Sequence, residues 1–504
     1  MPINRKTAAP LFTISLETSG VPIYRQLYET LRRTILSGQL PAKSQLPSTR
    51  FLARQLAVSR MTVVNAYDQL LAEGYIEGIS GSGTYVASVL PEELLETKDK
   101  SRKPKSGESL NRRVTLSNRG ERLAAFDHVN LRPSRTDAHF AAFHYGLPAM
   151  DAFPFDVWAR LVSRRLQKMS ASLFGSGNPA GYEPLRCSVA AYLRTARAVR
   201  CEPEQVVIVA GAQQALALIA QVLIDEKDTV WMENPCYLGA RNAFAAAGAE
   251  IVSVPLDAGG FDLHFALHKN KNARLACVTP SHQFPLGTVM SLSRRLALIE
   301  WARANDAWII EDDYDSEFRY SGRPLASLQG LDADGCVIYV GTFSKTIFPA
   351  LRLGYMVVPE NLVVVFSAAR ALMDSHSPSI DQAVLTDFIE EGHFARHIRR
   401  MRALYAERQA VLVSAAKKDL AGLLAVPPDE AGMHLVGWLP KNIDDRIAAQ
   451  KAAEQGIETK PLSVYTSEPL PSPQRGGLIL GYTAFSAGQI RNGVKRLAKA
   501  LTGV

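Results

Sequence analysis

Apolar positions recur with helical spacing near the start of the chain. They repeat every three or four residues over 22–37 and again over 60–73, which predicts two amphipathic helices. Between them, Ser48 can cap a short helix that precedes a tight turn. Over 75–87 apolar and polar residues alternate around glycines, which is typical of a two-stranded hairpin. Helix, short helix, turn, helix and hairpin in this order predict a winged helix-turn-helix domain over 1–87.

The rest of the chain alternates between short apolar runs and longer segments with helical periodicity. The apolar runs are VVIVAG, DTVWMENP, EIVSVPL, RLACVTP, WIIEDDY, CVIYVGT and GYMVVP. Strands that alternate with helices predict an α/β domain with a mostly parallel sheet, which we place at 138–504. Residues 88–137 are rich in charge, serine and proline and show little periodicity, which is typical of a flexible linker.

The charge is unevenly distributed along the chain. The first 140 residues contain 20 Lys and Arg against 13 Asp and Glu, whereas the remaining 364 contain 37 against 36. A basic N-terminal part joined to a nearly neutral body favours an anionic partner, with double-stranded DNA first. On charge alone, a solvated basic face is the alternative.

Several side chains of the predicted head suit contact with DNA. Arg60 and Thr62 stand at the start of the second helix of the helix-turn-helix, which enters the major groove, and Arg60 can form a bidentate pair with guanine. Arg50 suits phosphate or base contacts, and Gly83 allows the hairpin backbone to approach a neighbouring groove. The candidate DNA-binding residues are Ser48, Arg50, Ser59, Arg60, Thr62 and Gly83.

The segment YVGTFSKTIFPALRLGYMV concentrates the chemistry of the larger domain. Lys345 follows an apolar strand in a turn rich in hydroxyl groups, with Thr342 before it and Arg352 after it. An amine beside hydroxyls and a guanidinium fits a cofactor that carries an aldehyde and a phosphate. Lys345 would form the imine, and Thr342 and Arg352 would bind the phosphate. The backbone amides of Ala212 and Gln213, where a helix begins, can add to the phosphate site.

Other candidate cofactor residues follow other predicted strands. A carboxylate at the end of WIIEDD, Asp312 or Asp313, can keep a pyridine nitrogen protonated and make the ring an electron sink. Tyr314 can reach the phenolic oxygen of such a ring, and Tyr237 can stack on it. Open parallel sheets bind ligands at the carboxyl ends of their strands, so we expect these residues at one edge of the sheet.

These motifs resemble known families. The pattern over 22–87 resembles the GntR-type DNA-binding domain along its whole length. The segments FHYGLPAMDAFPFDVW, NPAGYEPLR, GAQQAL, ENPCY, EDDYDSEFRY and TFSKTIFPALRLGY resemble the fold-type I pyridoxal-phosphate enzymes of the aspartate aminotransferase class. With the head in front, the whole chain apart from the linker resembles the MocR-type regulators.

The resemblance implies a cofactor, a set of roles and an assembly. The cofactor is pyridoxal 5'-phosphate, attached to Lys345, with Asp312 at the pyridine nitrogen and Asp313 as the adjacent alternative. Tyr314 would contact the phenolic oxygen and Tyr237 would stack on the ring. The residues around the phosphate would be Ala212, Gln213, Thr342 and Arg352. The resemblance also implies a homodimer, arranged head to tail.

The chain departs from the aminotransferase pattern at three places, one of which is Ser176, at the likely match of a tyrosine that in these enzymes often contacts the phosphate from the neighbouring subunit. Phe284 stands where these enzymes carry an asparagine beside the ring oxygen, and His282 or Gln283 are the candidates to replace it. Ile479 stands where the enzymes carry the arginine that holds the substrate carboxylate, with Arg475 four residues earlier. Without that clamp an amino acid is poorly oriented for proton abstraction, which argues against efficient transamination.

The resulting hypothesis is a transcription regulator rather than a conventional enzyme. It would sense pyridoxal phosphate, or its aldimine with an amine or amino acid, and control genes of vitamin B6, amine or amino-acid metabolism. A working aminotransferase with a regulatory head is the alternative, and a repressor with an empty structural pocket is a third. Five scattered cysteines without a C-x-x-C predict no disulfide framework and no metal site, and favour the cytoplasm. The apolar runs are too short to predict a membrane helix.

Overall fold

Two units make up the chain in the computed structural model, one spanning Met1–Val114 and the other Thr115–Val504. Each unit contains its own hydrophobic core, and each is described separately. The described residues are 21–79, 81–91, 116–125, 142–168, 171–322, 325–467 and 475–502.

The N-terminal unit consists of three helices followed by a hairpin. Helix α1 (Ile23–Leu36) packs on α3 (Arg60–Ala72), and α2 (Thr49–Gln55) packs on α3 as well. The antiparallel pair of β1 (Ile76–Ile79) and β2 (Gly83–Val86) forms the wing. The predicted winged helix-turn-helix is therefore confirmed.

The periodicity of the sequence explains how this unit packs. Leu27, Leu31 and Ile35 are spaced by four residues, so they lie on one face of α1, and all three are nearly fully buried. They share one core with Val63 and Leu70 of α3. The buried stripe fixes the two long helices against each other, which leaves the opposite face of α3 exposed.

The second unit alternates helices and strands. Its helices are α4 (Asn118–Ala125), α5 (Phe155–Gln167), α6 (Ala171–Phe174), α7 (Glu183–Arg197), α8 (Ala212–Leu223), α9 (Leu238–Ala247), α10 (Leu263–Lys269), α11 (Leu292–Ala304), α12 (Leu328–Leu331), α13 (Val363–Asp374), α14 (Ser379–Glu390), α15 (His393–Asp419), α16 (Asp445–Glu454) and α17 (Ala487–Leu501). Its strands are β3 (Val206–Val209), β4 (Thr229–Asn234), β5 (Glu250–Asp257), β6 (Gly260–Phe261), β7 (Leu275–Val278), β8 (Trp308–Asp313), β9 (Val337–Thr342), β10 (Gly354–Val357), β11 (His434–Trp438), β12 (Lys460–Pro461) and β13 (Gly477–Gly481). All seven predicted strands are present.

An eight-stranded mixed sheet forms the centre of this unit, in the order β3-β10-β9-β8-β7-β4-β5-β6. The neighbours from β9 to β5 run parallel, whereas β10 runs antiparallel to both β3 and β9. The predicted α/β domain with a mostly parallel sheet is therefore confirmed. A separate three-stranded antiparallel sheet, in the order β11-β13-β12, lies in the C-terminal part.

Both faces of the large sheet are buried. In β3, Val206 and Ile208 belong to one hydrophobic core and Val207 and Val209 to another. Successive side chains of a strand point to opposite faces, so the two cores lie on opposite sides of the sheet. Most positions within these strands are therefore apolar, and the carboxylates of β8 stand in its C-terminal half.

Helix α4 lies inside the range that the sequence predicts to be linker. It packs against α9, and Nη1 of Arg122 forms a 2.9 Å ion pair with Oε1 of Glu226. The boundaries of the linker remain a prediction. None of the helices in the described part of the chain is long and apolar enough to cross a membrane.

Candidate functional site

A cavity opens at the edge of the large sheet where the parallel strands end. It collects the segments that follow β3, β4, β7, β8 and β9, and it also touches β11 of the small sheet. Its lining is formed by Tyr145, Gly146, Gly211, Ala212, Gln213, Tyr237, Thr279, Phe284, Asp312, Tyr314, Thr342, Ser344, Lys345, Arg352, Met433 and His434. The structure thus brings together eight of the nine cofactor residues predicted from the sequence.

Lys345 projects into this cavity from the turn after β9. Its Nζ donates a 2.9 Å hydrogen bond to the carbonyl oxygen of Gly146. Position 146 requires glycine, because its φ is +78° and an added Cβ would lie 2.6 Å from that Nζ. Burial lowers the pKa of Lys345, against the opposing effect of the Asp315 and Asp312 carboxylates. A lowered pKa increases the fraction of neutral amine, which is the nucleophilic form.

One end of the cavity is suited to a phosphate. Helix α8 begins at Ala212, and Gly211 before it adopts φ +96° with no described side chain capping the helix. The first amides of α8, those of Ala212 and Gln213 among them, therefore face the cavity without intrahelical partners. Arg352 lies beside them, and its Nη2 donates a 2.6 Å bond to the carbonyl of Ala210. Free amides and a guanidinium together form an anion site.

Only one of the two adjacent aspartates faces the cavity. Asp312 lines it, and Oδ1 of this side chain is buried with no hydrogen-bond partner among the described residues. Asp313 points to the other face of β8, where Oδ2 accepts a 2.8 Å bond from Nε of Arg197 and another from the hydroxyl of Tyr339. The geometry therefore favours Asp312 over Asp313 as the partner of a ring nitrogen, and this role stays a prediction.

The environment of Asp312 suits a cationic ring nitrogen. Burial raises the pKa of its carboxyl to about 7, and the carboxylates of Asp313, Glu233 and Asp315 add to the shift. A buried carboxylate needs a positive partner, and its free oxygen points into a cavity that has an amine at one side. This orphaned acceptor is what a protonated pyridine nitrogen would satisfy.

A buried charged network positions Tyr314. The Tyr314 hydroxyl lies 3.0 Å from Nδ1 of His282, which is also 3.0 Å from Oδ2 of Asp315. Nε2 of His282 lies 3.7 Å from Oδ2 of Asp429. Burial alone would lower the pKa of His282, but these two carboxylates outweigh it and raise the pKa to about 10. His282 lies behind Tyr314 and does not line the cavity, so it can act on a cofactor only by holding Tyr314.

Gln283 is fully engaged elsewhere. Its Nε2 donates to the carbonyl of Pro235 at 2.8 Å, and its Oε1 accepts from the amide of Leu286 at 3.1 Å. It holds the chain around Phe284 and does not reach the cavity. Of the two residues that the sequence offers in place of the missing asparagine, only His282 has a connection to the ring site.

Aromatic side chains form the remaining wall of the cavity. Tyr237 donates a 3.1 Å bond to Oε1 of Gln213, and its ring meets Phe284 edge-on at 6.2 Å. Tyr145 and Tyr465 join their hydroxyl oxygens at 2.7 Å. The sequence reasoning assigned no role to Tyr145, although it lies in the quoted segment FHYGLPAMDAFPFDVW, and it missed His434 and Tyr465, which lie in segments without a recognised motif.

The predicted DNA-binding residues lie on exposed parts of the head. Arg60 is exposed at the first residue of α3, and Arg50 of α2 lines the same shallow cleft between the two helices. Arg54, which the sequence reasoning missed, lines it as well. Thr62 is half-buried two residues further along α3. Gly83 opens β2 with φ +122°, a conformation that favours glycine.

Two of the predicted DNA contacts have a structural role. The hydroxyl of Ser48 accepts a 3.3 Å bond from the amide of Phe51, and that of Ser59 accepts a 3.1 Å bond from the amide of Thr62. Both serines therefore cap helices. Their exposed positions leave the predicted phosphate contacts as predictions.

The fold and the site together define a class of protein. A winged helix-turn-helix precedes a domain of the fold-type I pyridoxal-phosphate kind, whose cavity combines a strand-end lysine, an unpartnered aspartate and an anion site. The family model "Aminotransferase class I and II" matches residues 146–477, and "Bacterial regulatory proteins, gntR family" matches residues 23–86. The chain belongs to the MocR-type regulators, which combine these two parts.

Individual relatives agree with this assignment. The "probable rhizopine catabolism regulatory protein MocR" of Rhizobium meliloti is 43% identical over 96% of this chain and 94% of its own. The "HTH-type pyridoxine biosynthesis transcriptional regulator PdxR" of Corynebacterium glutamicum is 32% identical over 89% of each chain. Both similarities extend through the head and the larger domain.

A solved structure supports the cofactor. The α-aminoadipate aminotransferase LysN of Thermus thermophilus, complexed with N-(5'-phosphopyridoxyl)-L-leucine, is 28% identical and superimposes with a TM-score of 0.66. The match covers 72% of this chain and 92% of LysN. The chain is therefore a transcriptional regulator of the MocR type with an aminotransferase-like domain that binds pyridoxal 5'-phosphate.

The residues present fit this cofactor. Lys345 would provide the attaching amine, Asp312 the partner for the pyridine nitrogen and Tyr314 the contact for the phenolic oxygen. The free amides at the start of α8, with Arg352, would hold the phosphate. When bound, pyridoxal phosphate supplies an aldehyde that reacts with amines and a ring that withdraws electrons.

Proposed function

We propose that the protein binds operator DNA through its head and changes this binding when pyridoxal phosphate, or its adduct with an amine or amino acid, occupies the larger domain. The observation that carries the proposal is that one chain holds both an exposed winged helix-turn-helix and a complete cofactor cavity. The genes it controls would belong to vitamin B6, amine or amino-acid metabolism, in line with two relatives that are named for rhizopine catabolism and pyridoxine biosynthesis. It would act in the cytoplasm, where its DNA lies.

The make-up of the cavity supports a sensing role. Tyr145 and Gly146 come from the segment that follows the predicted linker, Lys345 and Asp312 from the large sheet, and His434 from the small sheet. An occupant of the cavity therefore touches three parts of the unit at once. A ligand shifts a conformational equilibrium only when it contacts two arrangements differently, and an occupant that touches three parts of the unit would meet this condition if those parts shift relative to one another.

The direct test is a DNA-binding measurement with and without the cofactor. We would measure binding of the full chain to DNA from upstream of its own gene, at one stated salt concentration because phosphate contacts make affinity salt-dependent. A change of affinity or footprint on adding pyridoxal phosphate alone, or with an amine, supports the proposal. A footprint that ignores cofactor, amines and amino acids contradicts it.

Replacing Arg60 by alanine should weaken operator binding by about 1–3 kcal/mol, because an arginine at the start of the second helix can pair with a guanine edge. Arg25→Ala is a matched control, since this exposed arginine lies on α1 and pairs with Glu29 at 3.3 Å. The measurement is operator affinity for both variants at equal salt. If Arg60→Ala bound the operator with the same affinity as the parent protein, Arg60 would not take part in base recognition.

A homodimer is part of the proposal, with the two chains arranged head to tail. Its support is the exposed apolar face of α13, where Val364 is 80% exposed and Leu372 is 85% exposed. Faces of this kind on a folded unit mark interaction sites. Leu372→Glu should shift the solution mass from dimer to monomer, whereas Leu292→Glu, at an exposed leucine of α11, should not. A monomeric parent protein, or a dimer unaffected by Leu372→Glu, would contradict this interface.

A working aminotransferase with a regulatory head is the second candidate. The cavity favours it to the extent that Lys345, Asp312 and Tyr314 are all in place. Sustained production of a keto acid from any of a broad panel of amino donors would support it. If no donor of the panel were converted and the DNA footprint depended on the cofactor, the regulator would be the only one of the two candidate functions that is supported.

A further inference from the structure

The wall of the cavity away from the phosphate end is aromatic and apolar. Phe284 packs against Tyr465 at 5.2 Å between ring centres, against His434 at 5.5 Å and against Tyr145 at 5.8 Å. Ile479, which is fully buried, belongs to the same cluster. The polar groups on this side include the imidazole of His434, which bonds to the carbonyl of Pro285, and the hydroxyls of Tyr145 and Tyr465, which bond to each other.

The cationic side chains that line the cavity already have other roles in the proposed cofactor site. Arg352 lies at the phosphate end, beside the start of α8, and bonds to the carbonyl of Ala210. Lys345 is the attachment point. His434 is uncharged near neutral pH, because burial and the nearby His282 imidazolium lower its pKa to about 4, and its Nε2 donates to the carbonyl of Pro285 at 3.0 Å. Among the described lining residues, no further cation remains for a ligand carboxylate.

The position of the carboxylate clamp is filled by an apolar residue. Ile479 lies in the middle of β13, paired with Val436 and Lys460 of the neighbouring strands, and its side chain packs against Phe284 and Tyr465. Arg475, the nearest arginine before it, donates from Nε to the carbonyl of Leu439 and does not line the cavity. A carboxylate placed here would lose its hydration without gaining a counter-charge, which is strongly unfavourable.

We propose that the sensed effector is a primary amine without a carboxylate, whose uncharged substituent lies against the wall formed by Tyr145 and Phe284, behind which Tyr465 and Ile479 are packed. This deepens the proposed function and rests on it, because it assumes that an amine occupies the cavity beside Lys345. An aromatic or hydroxylated substituent suits the wall, since the rings offer stacking surfaces and the tyrosine pair offers hydroxyls. The matching α-amino acid is disfavoured by its extra carboxylate.

The test compares amines with their amino-acid counterparts on the cofactor-loaded full chain. We would titrate phenylethylamine against phenylalanine, tyramine against tyrosine and ethanolamine against serine, following the absorption spectrum of the bound cofactor. Each amine should reach half-saturation at a concentration lower by about tenfold or more than its amino acid, since an unpaired charge costs more than a neutral group. Amino acids that bind as well as their amines would overturn the proposal. The proposal would also be overturned if none of the three amines and none of the three amino acids changed the spectrum.

Ile479 variants separate recognition from folding. Ile479→Arg should narrow or reverse the preference for the amine, whereas Ile479→Leu, which keeps the apolar wall, should preserve it. If Ile479→Arg does not fold, Phe284→Asn tests the same wall with a smaller polar group. This variant should reduce the preference for each amine over its amino acid. Variants that load cofactor but keep the parent preference at both positions would overturn the role of the wall.

Operator binding distinguishes failure of this inference from failure of the proposed function. If amino acids match amines but cofactor or ligand still changes the footprint, only the choice of effector class is wrong. If the footprint responds to none of the cofactor, the three amines and the three amino acids, the proposed function itself fails.

Discussion

Lys345→Ala is expected to abolish covalent attachment of pyridoxal phosphate while leaving the protein folded. The Lys345 amine is the nucleophile of the cavity, and burial favours its neutral form. Lys345 lines the cavity and belongs to neither of the hydrophobic cores beside the sheet, so its replacement should leave those cores intact. The absorption band of the lysine-linked cofactor should be absent, and borohydride should no longer fix the cofactor to the chain. Intact-protein mass after borohydride treatment gives the readout.

The control for this experiment is an exposed lysine. Lys441→Ala, in the segment after β11, should load and retain the cofactor as the parent protein does. Far-ultraviolet circular dichroism of both variants checks that the fold is kept. A borohydride-stable adduct that persists in Lys345→Ala would show that a different lysine carries the cofactor.

Changing each of the neighbouring aspartates Asp312 and Asp313 to asparagine is expected to affect a different property. Asp313→Asn should lower stability, and Asp312→Asn should weaken cofactor binding. Asp313→Asn leaves the buried guanidinium of Arg197 without its carboxylate, so the free energy of unfolding should fall by about 3–5 kcal/mol. Asp312→Asn removes a carboxylate that has no partner of its own, so the stability of the cofactor-free protein should change little. It should instead weaken cofactor binding by about 10-fold to 100-fold, because a charged hydrogen bond to the ring nitrogen is lost.

Two measurements on each variant decide the assignment. Urea unfolding without cofactor gives stability, and titration with pyridoxal phosphate gives affinity. Each asparagine is close in size to the aspartate it replaces, so each variant serves as the steric control for the other. Loss of affinity in Asp313→Asn with full stability, or loss of stability in Asp312→Asn, would reverse the roles inferred from the geometry.

The sequence was sufficient for the fold and for the residues that lie in motifs. The head could be predicted because Leu27, Leu31 and Ile35 repeat with the helical period and glycines mark the hairpin. The strands could be predicted because both faces of the sheet are buried, which makes each strand a continuous apolar run. Lys345 and Arg352 were found because they follow such runs, where ligands bind in parallel sheets.

Other features depend on contacts that a local pattern does not record. Neighbouring residues of a strand face opposite sides, so the sequence implies that only one of Asp312 and Asp313 meets the cavity, but the choice depends on the distant Arg197. The role of His282 depends on Asp429, nearly 150 positions later in the chain. The partnership of Tyr145 with Tyr465 likewise joins segments that only the folded unit brings together.

Helix α9 has a mechanical consequence. It begins immediately after Tyr237 in the cavity and ends at Gly248, where a Cβ would lie 3.4 Å from Nη2 of Arg122 on α4. Its ten residues form a stiff rod of about 15 Å, with the ligand at one end and the first described helix after the head at the other. A tilt of about 10° at Tyr237 would displace the far end by roughly 2–3 Å. Such a tilt would carry a change in the cavity to the described part of the larger domain that lies nearest to the head in sequence.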